Sequence, residues 1–591
     1  MSAKSTASRG NTSYNFDLIP MQPFRPAITG TRHMISAGHY GAAHAGFCIL
    51  EAGGNAVDAG VAAGICLGVL QTDIVNFAGV APIMLWLADR REVVTIDGLG
   101  VWPRAAQVDV FRTRYDGRMP PGLLRAVVPA APDAWITALE RFGTMRFGDV
   151  AHAAIRFARD GFAMHALMAN YIAEHADAYR RWPSNAAVYL PGGKPPAVND
   201  VFIQADLART LQFMADEEKA HAGQGRAAGL EAARAAFYRG DIAQSIARYH
   251  RENGGWLAAE DLAAFRVRFE PPVRTRFRDL DVYACGPWCQ GPVVLETLNI
   301  LSGIDLAALG HNSPDYVHVL AEALKLAFAD RHRYYGDPRF VDGPIDELLA
   351  PEFAAERRRH LDMQRAYPGM PEAGAVRGRS AARGKLPPVT AGEPAPPGDT
   401  SYVCVIDRHG NAFSATPSDE SSDMPLIPGT GLVPSSRGSQ SWTDPAHPAC
   451  LAPGKRPRLT PSPGLVMRDG QVFMPYGSPG NDIQPQAMVQ ALLNIAVFGM
   501  DPQSAVEAPR CGSYSYPASS EPHAYHARRL NLDGRYPRTL GDDLAARGHD
   551  VKWWPDLEWR AGAVCAIVRD PKTGILSAGA DPRRPAYALG W

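Results

Sequence analysis

This chain of 591 residues lacks an excess of charge of either sign: 60 Lys and Arg stand against 61 Asp and Glu, a formal net charge of −1. A polyanion partner needs a concentrated basic surface to displace its counterions, so nucleic acid is excluded as a partner and small, weakly charged molecules fit better. Long apolar runs are lacking as well. Nowhere do about twenty consecutive apolar residues occur, the length that spans a bilayer. The opening MSAKSTASRGNTSYNFDL has no apolar stretch of the kind a secretory signal carries. No membrane association and a cytoplasmic location are expected.

Cysteine is sparse, with 8 scattered along the chain. Several sit in apolar surroundings, as Cys66 does in Gly64-Ile65-Cys66-Leu67, where a reduced thiol packs as a small hydrophobe. Cys285 and Cys289 bracket Gly-Pro-Trp, but no second Cys or His pair lies near enough in sequence to complete a tetrahedral set. They read as a buried loop, and neither a metal nor a cofactor is expected.

What is present divides the chain. Residues 53–70, GGNAVDAGVAAGICLGVL, are small and apolar all round after a Gly-Gly-Asn start, the pattern of a buried helix. Helical periodicity recurs over 148–160, 207–216, 230–237, 293–301 and 315–335, so the first four hundred or so residues are mainly helical with some strands. Between 357 and 399 the composition turns to Arg, Pro, Gly and Ala without apolar periodicity, the signature of an exposed, poorly ordered linker. Beyond it, 402–406, 411–414, 464–467, 471–475, 563–569 and 575–578 read as strands joined by turns at 407–410, 468–470 and 571–574. The division is an extension over 1–30, a large segment 31–399 ending in the linker, and a small segment 400–591.

Thr400 lies where linker meets strand, in Gly398-Asp399-Thr400-Ser401-Tyr402-Val403-Cys404-Val405-Ile406-Asp407. A Thr opening a strand is commonplace, but the rest of the chain adds to it. GGNAVDAGVAAGICLGVL, ARDGF at 158–162, GGWLAAEDLAAF at 254–265, AEALKLAFADRHRYYGDP at 321–338 and DTSYVCVIDRHGNAFS occur in order. PGTG at 428–431, APGKRPRLTPSPGLV from Ala452 and GSPG at 477–480 follow. In these pieces, over nearly its whole length, the chain resembles the γ-glutamyltransferases and the cephalosporin acylases.

That resemblance implies an α+β fold, the four-layer αββα sandwich of the Ntn-hydrolases built from both fragments of a self-cleaved precursor. It makes Thr400 the nucleophile and Asp399–Thr400 the bond cut. The two fragments would stay together as a heterodimer, with a dimer of heterodimers a further assembly open to them. It also places a hydroxyl that bonds the nucleophile at Ser418 and the oxyanion-binding backbone amides at Gly480 and Asn481. Elementary chemistry agrees: a free α-amino group titrates near ~8, so a new N-terminal Thr400 carries its own base.

The chain departs from the transferases at the substrate. Where they hold an α-carboxylate with Arg, this chain has Leu99. Their other anchors fall at Glu420, Ser439 and Leu459-Thr460. Losing such contacts costs ~1–3 kcal/mol for each unmatched polar group, which counts against glutathione. In compensation Arg437 can receive a carboxylate from the opposite wall, or else pair with Glu420 or Asp423. Trp288 is either cover for a small acyl group or plain core. The expected activity is hydrolysis of a small, carboxylate-bearing amide, as in the oxamate amidohydrolases. The alternatives are a γ-glutamyltransferase or glutathione hydrolase, an acylase for larger groups, or an uncleaved binding or scaffold homologue.

Overall fold

The computed structural model of the protein describes residues 23–376, 386–393 and 399–591. Two seven-stranded sheets form its centre. The first runs in the order Tyr587–Gly590, Met34–Ala37, Val403–Ile406, Ala412–Ala415, Ile83–Leu87, Glu92–Ile96 and Phe269–Glu270. The second runs Ile28–Gly30, Leu576–Ala580, Cys565–Arg569, Gln471–Gly477, Gly464–Arg468, Leu280–Ala284 and Val273–Phe277. All pairings within both are antiparallel. The sheets face each other through Val403–Ile406 and Ala412–Ala415 on one side and Gln471–Gly477 and Cys565–Arg569 on the other. Helices Tyr40–Glu51 and Ala56–Leu70 cover the outer face of the first sheet, and Gly291–Leu301 and Gln484–Ala496 that of the second. This is the αββα sandwich, and each sheet takes strands from both sides of residue 400.

Local chemistry explains the central layers. Asn55 starts helix Ala56–Leu70 by accepting from the amides of Val57 (2.9 Å) and Asp58 (3.1 Å), and all 15 helical residues are buried. Side-chain oxygens at a helix start satisfy amides that have no partner within the helix. Glycine lets this helix lie close to its neighbours: a Cβ on Gly60 would come 2.2 Å from the Phe413 ring, and one on Gly64 would come 2.5 Å from Trp135. Asp407 ties the turn of the central hairpin to the same helix, accepting from Ala56 N at 3.0 Å and from His409 N at 2.8 Å.

Two expectations need correction. The supposed extension 1–30 ends in the edge strand Ile28–Gly30, paired with Leu576–Ala580; residues 1–22 lie outside the described residues. The supposed linker 357–399 begins inside the protein. Arg357 is 2% exposed and pairs with Asp330 at 2.9 Å, Met370 and Val376 are buried, and Thr390 N donates to Tyr525 O at 2.7 Å. Single anchoring side chains do this without periodicity, which is why composition misread it. Of the same stretch, 377–385 and 394–398 lie outside the described residues. Among the described residues no helix is long and apolar enough to cross a membrane.

Candidate active site

Strand Val403–Ile406, third in its sheet, carries Thr400 just ahead of it, and Thr400 bridges to Ser418 at the end of the neighbouring chain segment. Thr400, Ser418 and Asp399 are all 0% exposed. Thr400 Oγ1 lies 2.8 Å from Ser418 Oγ, and Ser418 Oγ donates at 2.8 Å to the carbonyl oxygen of Asp399. Arg437 Nη2 donates to Ser418 Oγ and, at 3.3 Å, to the same carbonyl oxygen. A hydroxyl has one proton and two lone pairs. Ser418 therefore gives its proton to the carbonyl and accepts from both Thr400 and Arg437. The Gln484 amide group stands 3.3 Å from Thr400 Oγ1.

The backbone beneath Ser418 is held under strain. Asp419 has φ 135°, outside the range non-glycine residues prefer, a conformation that costs ~1–3 kcal/mol. Its carboxylate is gripped by Ser435 Oγ (2.5 Å), Ser436 N (3.0 Å) and Ser436 Oγ (2.8 Å), with Arg437 Nε at 3.7 Å. Burial raises its pKa, while Arg437 and the serines oppose that. Arg437 thus pairs with Asp419 rather than with Glu420 or Asp423, and Asp423 is taken by Arg125. Arg437 touches the carbonyl of Asp399, not an open wall.

Gly480 and Asn481 stand as expected in a turn that needs left-handed backbone, with φ 116° and 52°; Asn tolerates that region better than most side chains. Asp482 fixes the turn by accepting from Ser519 N (2.7 Å) and Ser519 Oγ (2.6 Å) and pairing with Arg331. The amide of Gly480 is directed at the side-chain carboxylate of Asp399, not at its carbonyl. In the uncut chain the carbonyl donors are therefore Ser418 and Arg437.

A cavity of about 330 Å³ opens beside this turn, lined by Gly480, Asn481, Glu420, Ser439, Tyr514 and Tyr516 among others. Glu420 accepts from Tyr171 OH at 2.8 Å, and burial followed by the nearby Asp423 pushes its pKa up to about 7. Two expected substrate residues do not line this cavity. Thr460 is fully buried, its hydroxyl accepting from Gln440 Nε2 at 2.8 Å. Leu99 packs in an apolar cluster with Val80, Met84, Trp288 and Leu459 between the sheets. An apolar side chain gains most by leaving water altogether, which puts Leu99 in the core and makes Trp288 core as well.

Sequence reasoning missed Arg584. Its guanidinium pairs with Asp399 Oδ2 at 2.5 Å and donates to Thr400 O at 3.1 Å and Trp559 O at 3.2 Å. The available signal was its place directly after Asp581-Pro582-Arg583. Asp73 was missed too: its carboxylate is buried, and burial pushes its pKa up to about 7.

Comparison with known proteins agrees with this architecture. The chain is 33% identical to the acylase ACY 1 proenzyme of Pseudomonas sp. (strain SE83), over 94% of this chain and 92% of that one. It is 29% identical to the oxamate amidohydrolase proenzyme of Klebsiella pneumoniae, over 95% and 99% of the two chains. The crystal structure of cephalosporin acylase from Bacillus halodurans superposes with a TM-score of 0.84 at 28% identity, covering 99% of each chain. Residues 42–591 match the family described as Gamma-glutamyltranspeptidase. With its αββα sandwich, the chain belongs to the gamma-glutamyltranspeptidase family, among the Ntn-hydrolases that act on amide bonds.

Proposed function

We propose that the chain cuts itself between Asp399 and Thr400, and that Thr400 then serves as the N-terminal nucleophile of a hydrolase for small, carboxylate-bearing amides. The observation that carries this is the relay in which Thr400 Oγ1 contacts Ser418 Oγ at 2.8 Å and Ser418 contacts the Asp399 carbonyl oxygen at 2.8 Å. Attack of Thr400 Oγ1 on that carbonyl carbon gives an ester by N-to-O acyl shift. The developing oxyanion already has two donors, Ser418 and Arg437. Fixed donors of this kind are worth ~3 kcal/mol each, because they need no reorganisation as charge develops. Water opens the ester, and the freed α-amine of Thr400 becomes the base for turnover.

Arg437 supports the acid-amide reading, since it is a cation beside the reacting carbonyl, where the carboxylate of an oxamate-like acyl group would lie. Leu99 offers no partner for a carboxylate at the transferase position. The tyrosines that line the cavity, Tyr514 and Tyr516, favour a second reading, acylase action on a bulkier amide. Both readings share Thr400. Thr400→Ala should give an uncut chain without activity, and Thr400→Ser should keep part of both functions. On a denaturing gel the wild type should show fragments of about 43 and 21 kDa, in proportion to the 63.8 kDa of the whole, the smaller starting at Thr400. A single full-length band with no Thr400 start, or full activity in Thr400→Ala, would sink the proposal.

A further inference from the structure

Before it is cut, the Asp399–Thr400 bond is an amide, and Asp399 is the acyl group on it. Every polar part of that acyl group is held. Its carbonyl oxygen takes Ser418 and Arg437. Its side-chain carboxylate takes Arg584 Nη2 at 2.5 Å, the Gly480 amide, and Thr400 N at 2.8 Å. Arg584 is 4% exposed and anchored on two backbone carbonyls, so it is in place before any ligand arrives. An enzyme that goes on to act on other amides must shed Asp399. What remains is a buried guanidinium that has lost its ion pair, beside a free backbone amide. Such a charge left alone costs several kcal/mol. The neighbouring carboxylate is a poor substitute, because burial pushes the pKa of Asp73 up to about 7.

We propose that the cradle filled by the Asp399 side chain in the precursor is the acyl-carboxylate subsite of the mature enzyme, suited to acyl groups in which two carbons separate the carboxylate from the reacting carbonyl. This rests on the reading of Thr400 as nucleophile. Succinamate has that spacing. It reproduces the Asp399 skeleton from carbonyl to carboxylate, so its carbonyl oxygen falls on Ser418 and Arg437 while its carboxylate falls on Arg584 and Gly480. Thr400 Oγ1 bonds to the amide carbon and the C–N bond breaks. Ammonia leaves with the hydroxyl proton, relayed by the α-amine, and water hydrolyses the succinyl ester to succinate. Autocleavage and turnover then share one geometry, with the precursor carrying its own substrate analogue.

The test uses mature wild-type enzyme and the series oxamate, malonamate, succinamate and glutaramate, with butanamide as the neutral counterpart of succinamate. The expected kcat/KM peaks at succinamate, about tenfold or more above its neighbours and butanamide, as a charge-assisted bidentate site implies. Succinate should inhibit competitively and more tightly than malonate or glutarate. In Arg584→Gln the ratio of succinamate to butanamide kcat/KM should collapse; if that variant does not mature, the wild-type series and the inhibition order decide alone. A peak at oxamate, or a flat series, from an enzyme cut at Thr400 overturns the subsite and leaves the nucleophile standing. Amide turnover undiminished in Thr400→Ala overturns both.

Discussion

The contact of Thr400 with Ser418 was legible because the motifs around both residues run in order through the sequence. Arg584, Asp73 and Asp419 were not. Each matters through what tertiary folding sets beside it, 184 residues away in the contact of Arg584 with Thr400. Arg437, expected either to receive a substrate carboxylate or to pair with Glu420 or Asp423, pairs with Asp419, which lies in a strained segment that no pattern reveals. Asp73 yields a sharp expectation. Its folded pKa, about 7 against an ordinary 3.8, means the native state keeps a proton that the unfolded chain has lost. Its contribution to stability is then complete below the unfolded value and disappears as pH rises through the folded one. In the uncuttable Thr400→Ala background, Asp73→Asn should match its parent near pH 4. It should exceed it at pH 7.5 by as much as ~4 kcal/mol, because each tenfold difference in proton affinity between the two states is worth ~1.4 kcal/mol. Denaturant midpoints at the two pH values check this, and parallel curves would refute it.

At the scale of elements, periodicity found several pieces closely and missed others, helices Tyr40–Glu51, Ala131–Phe142, Asp241–Glu252 and Gln484–Ala496 among them. Helices Ala56–Leu70 and Pro314–Tyr334 lie within one or two residues of expectation apart from the Gly-Gly-Asn lead-in, and so do strands Val403–Ile406 and Gly464–Arg468. The strands Ile28–Gly30, Met34–Ala37 and Tyr587–Gly590 escaped. Three or four residues are too few to establish an alternation, and their place comes from pairing with partners already in the sheet. Packing at this scale also inverts a usual rule. Gly→Ala inside a helix normally stabilises by ~0.5–1 kcal/mol. At Gly60, however, the new methyl would lie 2.2 Å from the Phe413 ring and push the helix off the hairpin that follows Thr400. Gly60→Ala should destabilise the fold by ~1–3 kcal/mol, the usual cost of overpacking, and slow self-cleavage along with it. A variant with raised melting temperature and unchanged cleavage would show that the helix yields freely.

For the whole molecule, both sheets interleave strands from before and after residue 400, so a cut at that point separates no layer. Native chromatography of the cut protein should give one particle holding both fragments. The same weave sets an order of events in the cell. The ion pair that seats Asp399 requires Arg584, and the sheet next to Thr400 is finished only when Tyr587–Gly590 pairs with Met34–Ala37. Both lie far downstream of the bond to be cut. A ribosome that has passed Thr400 has made the scissile bond but not the groups that position it. Chains ended before residue 584 should therefore accumulate uncut, whereas those reaching residue 591 should cleave; cleavage of a chain ended at residue 580 would contradict this. Under the proposed cut, self-cleavage becomes a checkpoint on synthesis: an interrupted chain would never acquire a free threonine, and no partial product would be released as an active hydrolase.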